Sequence, residues 1–162
     1  MLVKNDSRDI IAINSDLAEA IKVEPLSSQH RADLHGIEIK PKRCFQNTYN
    51  LVTRYPDKYA YVLGVNSCYG FAFEHAFIKD LQSGEYIDPT LDAIGKLDCE
   101  SGISSLLEFD AEELTAIVFE QGDMAYPPDF NVMSKLKLHP ELFITFKQCT
   151  AMEKTNDGEY AP

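Results

Sequence analysis

Pro41-Lys42-Arg43-Cys44-Phe45-Gln46-Asn47-Thr48-Tyr49-Asn50-Leu51-Val52-Thr53-Arg54-Tyr55-Pro56 is the stretch on which the reading of this 162-residue chain turns. Phe45, Tyr49 and Val52, with Cys44, Thr48 and Leu51 one step round, follow the 3.6-residue period of an amphipathic helix. A proline stands at each end, one suited to opening a helix and one to stopping it. The pattern predicts a helix that carries Cys44 in its first turn or two. Three segments follow, 59–65, 71–79 and 85–87, rich in aromatic and β-branched residues and parted by Asn66-Ser67 with Gly70 and by Ser83-Gly84. They predict consecutive antiparallel strands, the last cut short by Pro89. A helix laid on such strands makes the expected fold class α+β.

Outward from this centre the signals are shorter. Residues 1–10 are polar and mixed, and are expected to fray. Ser15 reads as an N-cap before Leu17, Ala20 and Ile21 at helical spacing, with Pro25 as the stop. The segment 24–40 reads mainly as a surface connection, with a brief strand where Ile37 and Ile39 alternate with charged residues. Beyond the centre, 106–109 reads as extended. Asp110 with Glu113 begins a helix over 111–121, and Tyr126-Pro127-Pro128 forces a bend. A short helix over 132–138 and a closing strand over 142–146 complete the expectation, and the tail from 153 is expected to be loose. With no repeat, low-complexity tract or linker, the reading is one domain over 1–162, flexible at 1–10 and 153–162.

Composition narrows the function classes. Apolar residues make up 44% and aromatics 10%, enough buryable surface to oppose the entropy of ordering a chain of this length. The net charge of −11 is the wrong sign for phosphate backbone or anionic lipid, so neither nucleic acid nor membrane is an expected partner. No apolar run approaches the ~20 residues needed to span a bilayer, and the N-terminus lacks the apolar stretch of a secretory signal. The expected location is cytoplasmic, or outside the cell by a route that needs no such signal. Cys44, Cys68, Cys99 and Cys149 are widely spaced without a C-x-x-C pair, which argues against a zinc knuckle or a disulfide framework. The His residues are not clustered as ligands and the glycines form no phosphate loop, so no metal or cofactor is expected.

The residues that carry chemistry come in order: Cys44 at a helix start, His75 inside an aromatic strand, Asp88 at the end of the next. The positive end of a helix dipole, together with Lys42 and Arg43, favours the thiolate that attacks a carbonyl carbon. An imidazole facing the thiol handles the proton, and a carboxylate on the far ring nitrogen fixes tautomer and orientation. Adjacent strands lie ~4.8 Å apart, so His75 and Asp88 are within reach of each other. Asn47, or Gln46 nearby, is the expected side-chain donor to a developing oxyanion beside the backbone N–H of Cys44.

Cys44-Phe45-Gln46-Asn47, Tyr61-Val62-Leu63-Gly64, Glu74-His75-Ala76-Phe77 and Tyr86-Ile87-Asp88-Pro89-Thr90 together resemble the transglutaminase-like branch of the papain-like Cys-His-Asp superfamily. The resemblance spans about 41–90. Where that family often carries a Trp near the final Asp, this chain has Tyr86 and no Trp anywhere. The resemblance implies a papain-like core, a Cys44 nucleophile, a His75 base and an orienting Asp88, with thiol hydrolase, amidase or acyltransferase activity. The implied substrate is a peptide or isopeptide bond, a cell-wall cross-link or a small amide.

The remaining residues read as structural. His30, His35 and His139 are expected at the surface, Glu74 solvated on the strand face opposite His75, Cys68 in a loop, and Cys99 and Cys149 structural. The rival reading is non-enzymatic, either an inactive papain-like binding module or an acidic inhibitor or nucleic-acid mimic. Its motive is the interval 97–134, which has no Lys or Arg but carries Asp98, Glu100, Glu108, Asp110, Glu112, Glu113, Glu120, Asp123 and Asp129.

Overall fold

The structure, a computed structural model, describes residues 2–4, 10–68, 71–97, 102–122 and 126–144. Its strands are β1 (Leu2–Lys4), β2 (Ile10–Ala12), β3 (Glu19–Ile21), β4 (Val23–Glu24), β5 (Tyr59–Cys68), β6 (Phe71–Asp80), β7 (Tyr86–Ile87) and β8 (Gly102–Phe109). Its helices are α1 (Ser28–Asp33), α2 (Cys44–Arg54), α3 (Pro89–Ala93), α4 (Ala111–Glu120) and α5 (Phe130–Lys135). The fold is α+β, as the alternation of patterns in the sequence predicts.

The two long strands organise everything else. β5 and β6 pair antiparallel along their whole length, from Tyr59 opposite Asp80 to Cys68 opposite Phe71. The sheet runs in the order β2-β1-β6-β5-β8-β3. β7 lies antiparallel on the last residues of β6, and β4 adds to β7 in parallel. With partners on both edges, β6 buries Ala76, Phe77 and Ile78. The apolar side of α2, Phe45, Leu51 and Val52, joins Tyr61, Leu63, Val65, Ala76 and Ile78 in the principal core. Tyr61, fully buried, keeps its hydroxyl satisfied by donating to Pro128 O at 2.6 Å.

Gly64 is a fixed point of this packing. The β5–β8 register shifts between Leu63 and Gly64, and a Cβ on Gly64 would stand 2.1 Å from Ser104 O. Only a residue without a side chain lets the β8 backbone come that close beside the strand position facing His75.

Several expectations are corrected. Residues 16–21 are not a helix: a 3₁₀ turn, Ser15–Leu17, is capped by Asn14 and gives way to β3, whose three residues pair with Ile103, Ser104 and Ser105. The segment 24–40 holds α1, capped by Ser27, and no strand at 37–39. Leu2–Lys4 and Ile10–Ala12 are paired strands rather than frayed chain. β8 begins at Gly102, and the helix expected over 132–138 is Phe130–Lys135. In place of a closing strand, a 3₁₀ turn, Pro140–Leu142, precedes one bridge between Phe143 and Ile13. Cys68 ends β5 instead of lying in a loop. Residues 145–146, the tail from 153, Cys99 and Cys149 lie outside the described residues. Among the described residues no helix is long and apolar enough to cross a membrane.

Candidate functional site

The chain reaches Cys44 through a sharp reversal. Lys42 takes φ 62°, a left-handed conformation that costs a residue with a side chain on the order of 1 kcal/mol, and Arg43 then opens α2. Arg43 offers no capping side chain, whereas α1, α3, α4 and α5 are capped by Ser27, Asp88, Asp110 and Asp129. The first N–H of α2 to meet a carbonyl is that of Asn47, on Arg43 O at 2.8 Å. Those of Cys44, Phe45 and Gln46 have no partner among the described residues, so α2 starts with donors that point outward beside a half-buried thiol.

His75 is buried in β6 and stacks on Phe77, ring centroids 6.2 Å apart. Its Nε2 is hydrogen-bonded to Asp88 Oδ2. Burial lowers the imidazole pKa, but the Asp88 charge and hydrogen bond, with the neighbouring Cys44 side chain, outweigh it and raise it to about 10. Because Asp88 occupies Nε2, Nδ1 is the ring atom left to meet the thiol. The ring therefore bridges the two other residues, as an imidazolium at neutral pH.

Asp88 is completely buried, and each of its oxygens has its own work. Oδ1 caps α3 by accepting the N–H groups of Thr90 at 3.0 Å and Leu91 at 2.9 Å, while Oδ2 holds His75. Pro89 at the first turn of α3 suits this cap, since it lacks the N–H that would need a partner. One carboxylate thus fixes both a helix start and the orientation of an imidazole.

Asn47 differs from its expectation as an exposed donor. It is 1% exposed, and both hydrogens of its amide are engaged, donating to Lys40 O at 2.8 Å and Thr90 Oγ1 at 2.9 Å. Its Oδ1 accepts the Lys40 N–H at 3.1 Å. Asn47 therefore binds the segment before Cys44 to the residue after Asp88-Pro89, and is a positioning residue with no free donor for an oxyanion. Gln46 is exposed and donates to Asn50 Oδ1 at 2.8 Å.

Two further expectations are corrected. Glu74 lies on the strand face opposite His75 but is buried, and it accepts the Phe130 N–H at 3.1 Å. His30 is buried too: Nδ1 accepts the Ser27 N–H at 3.2 Å, and Nε2 meets Asp80 Oδ2 at 3.1 Å. The burial of neither has a local sequence signal, because Asp80 lies 50 residues from His30 and Phe130 lies 56 from Glu74. His35 and His139 are exposed as expected. No cluster of metal-ligating side chains occurs among the described residues.

The structure therefore brings Cys44, His75 and Asp88 together and turns Asn47 away from them. No family model, curated protein or solved structure matches the chain.

Proposed function

We propose that this chain is a cysteine-dependent acyl-transfer protein of papain-like, transglutaminase-like type, acting on an amide, peptide or isopeptide carbonyl. The observation that supports this most is the His75 ring, held through Nε2 by a fully buried carboxylate and with its titration raised by the Cys44 side chain, which stands at an uncapped helix start. An imidazolium beside a cysteine favours the thiolate, the attacking species. Cys44 Sγ attacks the carbonyl carbon, and the outward N–H groups at the start of α2 receive the negative oxygen that forms. His75 passes its proton to the leaving nitrogen as the C–N bond breaks, which leaves a Cys44 thioester. Water or an amine then attacks the thioester, His75 takes the proton it loses, and the Cys44 sulfur departs as the thiolate that began the cycle. Asp88 keeps the ring in place throughout.

The acidic-mimic reading draws less support, because much of the acidic interval has local work. Glu108 holds Lys79 and the Tyr86 hydroxyl, Asp110 and Glu113 form a reciprocal cap on α4, and Asp129 caps α5. The test of the enzymatic reading is intact-mass spectrometry after acid quench of protein mixed with a peptide thioester. The expected result is one acyl adduct, on Cys44, that decays on incubation and is absent from Cys44→Ala. Acylation spread evenly over the cysteines, or none, overturns it.

A further inference from the structure

A cavity of about 640 Å³ runs along the outer side of α2. Arg43, Gln46, Asn50 and Arg54 line it, a spacing of three, four and four that places them in one row on the helix. The 36–40 segment forms the opposite wall. Arg43 directly precedes Cys44 in the chain, so one end of the row lies at the start of the helix that carries the thiol and the other a full helix length away, while Cys44 itself does not line the groove.

Its charge opposes that of the molecule. In a chain of net charge −11, Lys40, Arg43 and Arg54 face this groove against a single carboxylate, Glu38, which pairs with Lys40 at 3.1 Å. Arg43 and Arg54 have no carboxylate partner among the described residues. Arg54 lies 5.8 Å from the centroid of the Tyr55 ring, which leaves its guanidinium edge for a ligand. Between the two arginines stand amides and the hydroxyl of Thr53, groups that match a peptide backbone.

We propose that this groove binds an extended acidic peptide segment of the substrate, one carboxylate on Arg43, at the start of the helix that carries Cys44, and a second on Arg54. Eleven residues of helix separate the two arginines, about 16 Å at 1.5 Å each. An extended peptide covers that span in four to five residues at ~3.4 Å each, which sets the spacing of its two carboxylates. Planar guanidinium groups read carboxylates two oxygens at a time. A long polyanion such as nucleic acid is disfavoured by the chain's net charge of −11. The inference deepens the acyl-transfer reading by naming its substrate class, and only the position of the carbonyl depends on that reading.

The test is fluorescence anisotropy at low salt with fluorescein-labelled Glu-Ala-Ala-Ala-Glu amide and its Gln and Lys analogues, on the full chain carrying Cys44→Ala so that turnover plays no part. The expected result is binding at least tenfold tighter for the Glu peptide than for either analogue, with at least a tenfold loss in Arg54→Glu and in Arg43→Glu. A Gln or Lys peptide that binds as well as the Glu peptide overturns the proposal, even if both variants fail to fold. So does a folded Arg54→Glu protein with unchanged affinity. A Glu-Ala-Ala-Ala peptide with a free C-terminus separates the two sources of the second carboxylate: tenfold tighter binding than its amide supports the proposal with a chain end at Arg54, and equal binding of the two assigns that position to a Glu side chain, provided the two-Glu peptide keeps its advantage. Because binding needs no thiol, its failure is separate from failure of the thioester experiment.

Discussion

Two buried histidine–carboxylate pairs each have one member on β6, and they are built alike up to one atom. In each, the carboxylate Oδ1 accepts two backbone N–H groups just ahead in the chain, those of Gln82 and Ser83 for Asp80 and those of Thr90 and Leu91 for Asp88. In each, Oδ2 meets a histidine Nε2. The difference lies at the other ring nitrogen. Nδ1 of His30 accepts a backbone N–H from Ser27, which closes the pair into a helix cap and leaves the ring proton on Nε2. His75 has instead the thiol of Cys44 at the start of a helix without a cap. A histidine–aspartate pair is therefore no sign of chemistry by itself; what decides is whether a nucleophile and free donors converge on the remaining nitrogen.

The largest expected effect separates the pairs by rate. Asp88→Asn leaves one oxygen to cap α3 but frees His75 to take the wrong tautomer, so acylation of Cys44 by a peptide thioester should slow by roughly 10⁴-fold, the scale seen when a serine-protease triad loses its carboxylate. Asp80→Asn should leave that rate within a factor of about two. Equal slowing in both variants would erase the distinction between the pairs.

Next comes Asn47, which joins the site to the fold without belonging to the chemistry. Asn47→Ala removes three hydrogen bonds, the one to Thr90 fully buried, and should cost about 2–4 kcal/mol in urea unfolding. A fall of about 10²-fold in turnover with unchanged stability would instead mark an oxyanion donor. His30→Ala should cost about 1–3 kcal/mol by leaving Asp80 Oδ2 and the Ser27 N–H without partners, while Cys44 reacts as before.

The smallest effects are in pH dependence, and they have opposite signs. The pKa of His75 is raised from 6.5 to about 10, so its stabilisation is complete below pH 6.5 and is lost as pH rises through about 10. That of Asp80 is lowered from 3.8: burial opposes this, and hydrogen bonds from the Ser83 and Gln82 backbone and from His30 prevail. Its stabilisation is present above pH 3.8 and is lost as pH falls below it. Melting temperatures from pH 2 to 11 should show His75→Asn flattening the alkaline limb and Asp80→Asn the acid limb.

The sequence exposes one of these regions and conceals the other, for a physical reason. α2 is legible because period and punctuation agree, with Pro41 and Pro56 bracketing an apolar stripe. β5, β6 and β7 are legible because each is rich in strand formers and bounded by turn residues. β3 and β4 are three and two residues long and exist through pairing with β8 and β7, distant partners that no local window contains. α1 hides because its reciprocal cap uses a histidine in the place where Glu or Gln is the usual signal. At the site, the order of Cys44, His75 and Asp88 points to their meeting, whereas the burial of Asn47 depends on Lys40 and Thr90, seven and 43 residues away. Helix spacing gives the direction of a side chain, but what it meets there is set by tertiary packing.

The central claim is that His75 acts on Cys44, and alkylation by iodoacetamide tests it most directly. Rates are measured from pH 5 to 8 on proteins that keep one cysteine each, with and without His75→Ala. Cys44 should react at least tenfold faster than Cys68, Cys99 or Cys149 at pH 6, and His75→Ala should abolish that advantage. A Cys44 that reacts no faster than Cys149 below pH 7, or equally fast without the imidazole, would contradict the account.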